Sequence, residues 1–417
     1  MKMNEQFLSQ MREAAQLLQT EGPTAATALV QRALQGAGIG EGVSPSFDIP
    51  SFDASSFGKS AFGKSAFGTS AFAPGADTII DINPAEFMAK AARPSAGRPG
   101  FASRMRSGGA ARQPVEDVEV TDDASSKGKF LSASCTAPAG TRAYKLYVPS
   151  TYKGEAMPLV VMLHGCKQNP DDFAAGTGMN AIAEEQGCLV VYPAQAQKAN
   201  GSNCWNWFNA ADQHRDRGEP SIIVAITREI MRDYKVDPNR VYVAGLSAGG
   251  AMAAILGTEY PELYAATGVH SGLPVGAAHD IPSAFAAMQN GAPAGAVKAP
   301  PAQRKAVPAI VFHGDSDKTV SLRNAQQVLA QCAAGSASGQ EKPKVNVEKG
   351  TAPSGRSFTK TIQRDAAGKA IAEQWVVHGS GHAWSGGSRR GSYTDPKGPN
   401  ASREMLRFFY DNAKNAQ

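Results

Sequence analysis

The segment at residues 241–254, VYVAGLSAGGAMAA, constrains the fold of this chain more than any other stretch. A run of strand formers leads directly into the pentapeptide GLSAG, which is centred on Ser247, and a run of small residues follows. At such a strand–turn–helix junction, side chains two residues either side of the serine would collide with the neighbouring strand and helix, and glycine removes them. The pattern therefore predicts a sharp turn that raises the Ser247 hydroxyl above a sheet, at a helix N-terminus.

Strand-like and helix-like segments alternate from about residue 130 onward. The apolar runs PLVVMLHG, CLVVYP, RVYVAGL and PAIVFHG predict buried strands, and TRAYKLYVPS alternates as a half-buried strand does. Helices are predicted over about 171–186, 221–234, 248–260, 321–333 and 400–412, and a hairpin from 358–364 and 373–378. Strands that alternate with helices form βαβ units, so we expect a mostly parallel sheet.

Composition divides the chain into three parts. Residues 1–36 carry apolar residues at helical spacing, which predicts a helical hairpin packed on a body or partner, with a surface-binding amphipathic element as the alternative. Residues 37–129 are rich in Gly, Ala, Ser and Pro and contain a SAFGK repeat, whose five-residue period fits neither a helix nor a strand. We predict a disordered linker there. Residues 130–417 form the predicted catalytic domain.

Overall composition excludes several classes of protein. The net charge of +5 comes from 42 basic and 37 acidic residues without a basic stripe, which argues against a nucleic-acid partner. The five cysteines lack paired metal-binding spacing, so we expect no metal, and their sparse, odd number fits a reducing compartment. The first residues include Glu5 and Glu13 and lack the apolar core of a secretory signal. No transmembrane segment is expected, and we predict a soluble cytoplasmic protein.

A nucleophilic serine needs a base, and the base needs an acid to orient it. In this architecture the acid follows the serine in the chain, and the histidine base follows the acid. The loop after PAIVF contains Asp315 and Asp317, and the segment WVVHGSGHAWSGG contains His378 and His382. His382 is the better base because it lies beyond the predicted strand end, in a glycine-rich loop that can reach Ser247. Asp317 is favoured over Asp315, which directly follows the strand and is placed to cap it.

Two backbone donors should stabilise the oxyanion that forms when Ser247 attacks a carbonyl. One is the N–H of Ala248, directly after the nucleophile. The other is expected from the loop after PLVVMLHG, as the N–H of Cys166. This mechanism requires neither a metal nor an organic cofactor.

The motifs as a set resemble the poly(3-hydroxybutyrate) depolymerase family of esterases in the α/β-hydrolase superfamily. They are LHGCKQNPDDF, NCWNWFNAADQHRDRGE, VYVAGLSAGGAMAA, HSGLPVG, FHGDSDKTV and GSGHAWSGG, spread over about residues 130–412. The resemblance implies an α/β-hydrolase fold, with a mostly parallel central sheet and helices on both faces. It also implies carboxylic-ester hydrolysis through an acyl-enzyme, with the acid at Asp317 and the base at His382. Feruloyl and acetylxylan esterases share much of the pattern and remain the alternative.

Aromatic residues near these motifs are candidates for substrate contacts. Trp205 and Trp207 stand two apart in a long polar loop, where they either wall a cleft for an acyl chain or pin the loop to the body. Trp384 is a further candidate wall, and His164 is counted among the substrate-binding residues. Whether Cys166 and Cys204 form a disulfide is left open at this point.

The expected substrates are poly(3-hydroxybutyrate) or a related hydroxyalkanoate, its oligomers, or short-chain esters. Secreted depolymerases of this kind generally carry a signal peptide and a polymer-binding module, and neither is recognised in residues 1–129. An extracellular location is therefore the alternative. If the substrate is a polymer granule, residues 1–128 are its candidate contact. A granule-surface protein with an idle hydrolase domain is the hypothesis from a different functional class.

Overall fold

The computed structural model describes residues 127–293, 295, 307–336 and 343–414. The predicted N-terminal helices and the repeat-containing linker up to residue 126 lie outside the described residues. The strands are β1 Lys129–Ala137, β2 Gly140–Val148, β3 Met157–Leu163, β4 Leu189–Pro193, β5 Val236–Leu246, β6 Ala266–His270, β7 Ala309–Gly314, β8 Lys344–Thr351, β9 Ser357–Arg364, β10 Ala370–Val377, β11 Trp384–Ser385 and β12 Thr394–Asp395.

Seven α-helices accompany these strands within the described ranges. They are α1 Pro170–Thr177, α2 Met179–Gln186, α3 Gly218–Asp233, α4 Ala248–Glu259, α5 Ile281–Asn290, α6 Leu322–Ser336 and α7 Ala401–Asp411, and a 3₁₀ turn covers Ala210–Gln213. None of the helices in the described part is long and apolar enough to cross a bilayer.

Ten strands form one sheet in the order β1-β2-β4-β3-β5-β6-β7-β10-β9-β8. The six central strands, from β4 to β10, are mutually parallel. Antiparallel pairs add β2 and β1 at one edge and β9 and β8 at the other. The prediction of a mostly parallel central sheet is confirmed.

The strand β3 shows how the sheet separates two cores. All seven of its residues are buried, because helices cover both faces of the sheet. Leu159, Val161 and Leu163 pack with α3 and α4 on one face, while Val160 and Met162 pack with α1, α2 and α7 on the other. This two-sided burial explains why its sequence is a continuous apolar run rather than an alternating one.

Some elements differ from the prediction. The helix expected over 171–186 is two helices, because Gly178 adopts a left-handed conformation with φ 61° and ends α1. The strands β1, β6 and β8, the two-residue strands β11 and β12 and the helix α5 were not predicted. β6 is only five residues long and includes Gly268, and β8 is exposed along almost its whole length, so neither carries a periodic burial signal.

The parallel strands β3, β5, β7 and β10 all run toward the same edge of the sheet. The loops that follow them contain Cys166, Ser247, Asp317 and His382, respectively. Ligands of open α/β sheets bind at the carboxyl ends of the strands, so this edge is where a site is expected.

Candidate active site

Ser247 lies at a tight turn between β5 and α4. Its backbone has φ 57° and ψ −118°, a conformation that a residue with a side chain rarely adopts. A Cβ on Gly249 would lie 2.1 Å from the carbonyl oxygen of Leu163, and one on Gly245 would lie 2.4 Å from the backbone of Gly249. The glycines of the GLSAG pentapeptide are therefore required by backbone packing against β3 and α4.

Backbone hydrogen bonds hold this turn on both sides. The Ser247 N–H donates to the carbonyl oxygen of His270 at 2.9 Å, and the Ser247 carbonyl accepts from the N–H of Ala251 at 2.9 Å. The first contact joins the turn to the end of β6 and the second closes the first turn of α4. The position of the serine is thus determined by the sheet and not by a mobile loop.

Asp317 and His382 form a buried pair across the edge of the sheet. His382 Nδ1 donates to Asp317 Oδ2 at 2.7 Å, with the side chains 9% and 0% exposed, respectively. The other carboxylate oxygen accepts from the N–H groups of Thr319 and Val320, at 2.9 and 2.8 Å. A carboxylate can only accept, so Nδ1 carries the proton and Nε2 keeps a free lone pair.

The carboxyl of Asp317 is ionised at neutral pH. Burial by itself raises the pKa of this group, but the interactions of the carboxylate with the His382 and His313 rings and the hydrogen bond from the N–H of Val320 outweigh it. Together they lower the Asp317 pKa to about 2. A carboxylate that stays ionised in a buried place can hold an imidazole in one tautomer and stabilise its cation.

A second Asp–His pair lies nearer to solvent. His378 Nδ1 donates to Asp315 Oδ2 at 2.8 Å, and the N–H of Gly379 donates to Asp315 Oδ1 at 2.7 Å. His378 Nε2 lies 2.9 Å from the hydroxyl oxygen of Thr359, and the His378 side chain is 40% exposed. His378 thus stays at the end of β10, and Asp315 braces the turn that follows this strand.

The loops after β7 and β10 are joined along their length. The N–H of Ser316 donates to the carbonyl oxygen of Ser380 at 3.1 Å. A Cβ on Gly314 would lie 2.2 Å from the same carbonyl oxygen, so a larger residue cannot fit at this position. The Ser380 hydroxyl donates to Asp395, which also accepts from Arg356. These contacts set the distance between the acid loop and His382.

The loop after β3 passes directly beside the serine. A Cβ on Gly165 would lie 3.6 Å from Ser247 Cβ. Ala248 is the first residue of α4, so its N–H has no acceptor within the helix. The N–H of Cys166 likewise makes no hydrogen bond to the described part of the chain, whereas the N–H of Lys167 donates to Ser202. Two amides are thus available on one side of Ser247.

A disulfide joins Cys166 to Cys204, which answers the question that the sequence left open. Its two cysteines belong to the loop after β3 and to the loop that carries the tryptophans. Cys135, Cys188 and Cys332 are not part of a disulfide. The two cysteines are 38 residues apart in the sequence, and the bridge restrains the backbone of Cys166 directly.

A cavity of about 460 Å³, counted out to its open mouth, begins at Ser247. The residues that line it are mainly apolar: Cys166, Trp207, Phe208, Ser247, Ala248, Leu273, Ala284, Phe285, Met288 and Val320. Of the tryptophans predicted near the substrate, Trp207 is the one placed at this cavity.

The other two tryptophans that were expected to contact substrate are not among the residues that line this cavity. Trp205 is fully buried with its ring 5.7 Å from that of His164. Trp384 is also buried, where it donates from Nε1 to the Ser402 hydroxyl at 3.0 Å and stacks on His270 at 4.9 Å. Both rings serve as packing, because their large apolar area is worth most in a dry interior.

His164, also expected to contact substrate, is not among the residues that line this cavity. Its Nδ1 donates to the carbonyl oxygen of Gly165 at 2.8 Å, and its Nε2 accepts from the N–H of Gln195 at 3.1 Å. Burial lowers the pKa of His164 to about 4, so the ring is neutral. With both nitrogens engaged in the protein, His164 supports the loop that carries Cys166.

A buried polar network that the sequence analysis missed continues from Gln195. Its side chain donates to Glu219 and to the carbonyl oxygen of Cys204, and it accepts from Arg142. Glu219 also accepts from the backbone and side chain of Asn206. Burial raises the pKa of Glu219. The NCWNWFNAADQHRDRGE motif contains Cys204, Asn206 and Glu219, but only the fold shows that the network supports the Cys204 loop.

No group of three or more His, Cys, Asp or Glu residues within the described ranges is arranged to hold a metal ion. The arrangement described above combines a serine on a strained turn, an imidazole oriented by a carboxylate, and two free amides. Such a set can perform nucleophilic acyl transfer.

Comparisons with known proteins agree with this chemistry. Residues 142–336 match the family model described as Esterase PHB depolymerase. Poly(3-hydroxyalkanoate) depolymerase C of Paucimonas lemoignei is 31% identical over 259 residues, which cover 59% of each protein. Feruloyl esterase B of Neurospora crassa is 33% identical over 137 residues, which cover 33% of this chain and 45% of that protein. The chain thus spans less than two thirds of the length of these relatives.

Among solved structures, the acetyl xylan esterase from Aspergillus awamori is similar with a TM-score of 0.53 and 19% sequence identity. The match covers 67% of this chain and 99% of that one. At this level of identity the similarity concerns the fold, which is the α/β-hydrolase type predicted from the sequence.

Proposed function

We propose that this chain is a serine esterase that hydrolyses carboxylic esters through an acyl-enzyme. The match of residues 142–336 to the family model described as Esterase PHB depolymerase supports the proposal. The observation that carries the proposal is the 2.7 Å contact between His382 Nδ1 and Asp317 Oδ2, at the edge of the sheet where Ser247 stands on its turn. The proposed catalytic domain comprises residues 130–417.

In the proposed first step, His382 Nε2 accepts the Ser247 proton as the serine oxygen attacks the ester carbonyl carbon. Asp317 keeps the imidazole oriented and stabilises its positive charge. The carbonyl oxygen becomes an oxyanion, and the N–H groups of Cys166 and Ala248 donate to it. The imidazolium then protonates the leaving alcohol oxygen, and the acyl group remains on Ser247.

In the second step, His382 removes a proton from water, and the hydroxide attacks the acyl carbon. The second oxyanion uses the same two amides, and its collapse releases the carboxylic acid and returns the proton to Ser247. The reaction needs no electron transfer and no co-reactant other than water.

The decisive experiment is Ser247→Ala in the full chain, assayed with p-nitrophenyl butyrate. We expect kcat to fall by about 10⁴-fold or more, because the serine, imidazole and carboxylate act as a unit. A fluorophosphonate probe should label the wild type at Ser247 and leave the variant unlabelled. Activity of the variant near that of the wild type would rule out the assignment, provided that thermal unfolding shows both proteins folded.

We propose poly(3-hydroxybutyrate), a related hydroxyalkanoate, its oligomers or short-chain esters as the substrates. The similarity to Poly(3-hydroxyalkanoate) depolymerase C supports this class. A feruloyl or acetylxylan esterase is the second candidate, supported by the similarity to Feruloyl esterase B and to the acetyl xylan esterase fold. Initial rates on hydroxybutyrate oligomers, methyl ferulate and acetylated xylan distinguish them. The highest kcat/KM identifies the class.

Residues 1–128 are proposed to contact a polymer granule, if the substrate is a granule. Removing them should abolish granule association and leave the hydrolysis of p-nitrophenyl butyrate unchanged. The competing hypothesis, a granule-surface protein with an idle hydrolase domain, expects granule binding without any turnover that depends on Ser247. Unchanged granule association after the deletion would reject the contact.

The Cys166–Cys204 disulfide bears on the compartment. The sequence predicts a cytoplasmic location, but disulfides persist mainly in oxidising compartments, so we propose the alternative, an extracellular location. Counting thiols on protein isolated from its native host without reductant tests this proposal. Three reactive thiols after denaturation support it, and five support the cytoplasm.

A further inference from the structure

The helix α5, Ile281–Asn290, follows a loop from β6 and forms one wall of the cavity beside Ser247. Ala284, Phe285 and Met288 line this wall, and helical geometry places residues i, i+1 and i+4 on neighbouring parts of one face. The lining also includes Cys166 and Ala248, the residues whose amides are the proposed oxyanion donors. The cavity is thus bounded by the oxyanion donors on one side and by α5 on another.

The position of the cavity relative to the reacting groups indicates whether the acyl half or the alcohol half of an ester occupies it. The leaving oxygen must receive its proton from His382, so the alcohol half lies beside the imidazole. The carbonyl oxygen points to the Cys166 and Ala248 amides. The remaining substituent of the carbonyl carbon is the acyl chain, and the apolar cavity that begins at Ser247 next to those two amides is where it can go.

The wall is held in place by hydrogen bonds to the segment that follows the acid loop. The N–H of Ser321 donates to the carbonyl oxygen of Met288 at 2.7 Å, and Asn324 Nδ2 donates to that of Ala287 at 2.9 Å. At the other end, Asp280 and Ser283 form a capping box. Val320 both lines the cavity and donates to Asp317. The cavity wall and the catalytic acid therefore belong to one rigid block.

We infer that α5 sets the acyl specificity of this enzyme, with Ala284 and Met288 as the specificity-determining residues and an uncharged aliphatic acyl group as the ligand. The inference rests on the proposed esterase function and deepens it. Ala284 is the smallest side chain on the wall and is 3% exposed, so its size limits how far an acyl chain extends. Met288 is unbranched and flexible, so it can adapt to chains of different length.

The test uses p-nitrophenyl esters from acetate to octanoate, in which the leaving group is constant. Ala284→Leu should lower kcat/KM for the octanoate by about tenfold or more relative to the acetate, because the added carbons occupy the end of the cavity. Met288→Ala should shift the ratio in the opposite direction, by up to about tenfold.

The matched controls are on the same helix. Ala286→Leu makes the same chemical change at an exposed position, and Gln289→Ala truncates an exposed side chain next to Met288. Both should leave the acyl-length profile unchanged. Thermal unfolding identifies a variant that fails to fold, and if Ala284→Leu does not fold, Met288→Ala and Ala284→Gly decide, since both enlarge the cavity.

A second ester series, acetates of alcohols of increasing length, shows which half of the ester occupies the cavity. The inference is overturned if Ala284→Leu and Met288→Ala leave the acyl-length profile unchanged, or if they change the alcohol-length profile instead. In both cases hydrolysis that disappears in Ser247→Ala would still support the esterase function. Absence of any Ser247-dependent turnover would reject the function itself, and the inference with it.

Discussion

The pairing of two aspartates with two histidines is decided at the level of single residues. Asp317 and His382 are buried and joined at 2.7 Å, whereas Asp315 and His378 form a similar pair that is about one-third exposed. Both pairs come from the same two loops, and only their burial and direction differ. The buried pair is the one suited to orient a base, because a low-dielectric environment strengthens the interaction of the carboxylate with an imidazolium.

Replacement of the proposed acid tests this distinction. Asp317→Asn should lower kcat by about 10³- to 10⁴-fold, because an amide does not hold the imidazole in the required tautomer. Asp315→Asn, the matched change in the exposed pair, should cost far less. Steady-state kinetics with p-nitrophenyl butyrate compare the two variants. A larger loss in Asp315→Asn than in Asp317→Asn would reverse the assignment of the acid.

Asp317 also makes stability depend on acid. Its pKa is lowered from 3.8 to about 2 in the folded protein, so the unfolded chain binds more protons between these values. The resulting stabilisation, about 2 kcal/mol, is fully present above pH 4 and is lost as pH falls through about 2. Chemical denaturation from pH 5 to 2 should show a smaller loss of unfolding free energy in Asp317→Asn than in the wild type.

At the scale of elements, the site depends on how closely the strand-end loops approach one another. Gly314 ends β7 against the Ser380 carbonyl, and the Cys166–Cys204 disulfide joins the loop after β3 to the tryptophan loop. Gln195, Glu219 and His164 connect these same loops through buried hydrogen bonds. The loops therefore act together as a support for Ser247 and His382.

Substitutions at two glycines of the site test whether a steric clash, rather than any change near His382, lowers activity. Gly314→Ala places a Cβ 2.2 Å from the Ser380 carbonyl oxygen, so the loops must separate and kcat should fall by about tenfold or more. Gly381→Ala meets nothing within 4 Å, although Gly381 directly precedes His382. This control should keep wild-type kcat. Equal losses in both variants would contradict the steric explanation.

Loss of the disulfide should affect both stability and catalysis. The sequence separation of 38 residues corresponds to about 4 kcal/mol of chain entropy in the unfolded state. Cys204→Ser should therefore lower the free energy of unfolding by several kcal/mol and also lower kcat, because the Cys166 amide is released. Cys332→Ser, which changes a cysteine that is not part of a disulfide, is the control. Denaturant titration and kinetics measure the two effects.

For the whole molecule, the carboxyl edge of the sheet carries three histidines that do not take up charge. His164 directly follows β3, His270 ends β6 and His313 is the last but one residue of β7, and burial lowers the pKa of each. The stacked rings of His270, Phe312 and Trp384 continue this layer beneath the site. The catalytic loops thus rest on a neutral, closely packed layer.

These neutral histidines predict that the domain loses stability on mild acidification. Their folded pKa values lie below the ordinary value of 6.5, so the unfolded chain binds more protons as pH falls below 6.5. The free energy of unfolding should decrease from pH 7 toward pH 4, well before Asp317 is protonated. Denaturant titration across this range measures it. In His164→Gln the decrease should be smaller, and an unchanged decrease would contradict the role of this residue.

Much of the fold could be derived from local sequence alone. The apolar runs identified the central strands, and the GLSAG turn required glycines for reasons that the backbone distances now quantify. The choice of Asp317 with His382 followed from their places after two strands. These signals lie within single elements and their adjacent loops, where period, turn chemistry and chain order are set by neighbouring residues.

The tertiary structure alone decided what depends on residues far apart in the chain. It placed Trp207 at the cavity and Trp205 and Trp384 in the core, although all three looked alike in sequence. It joined Cys166 to Cys204, made His164 a neutral support, and brought the unpredicted helix α5 against Ser247. Burial and contact across dozens of residues of sequence arise only when the sheet brings its loops together, because no local pattern encodes the neighbour that a side chain will meet.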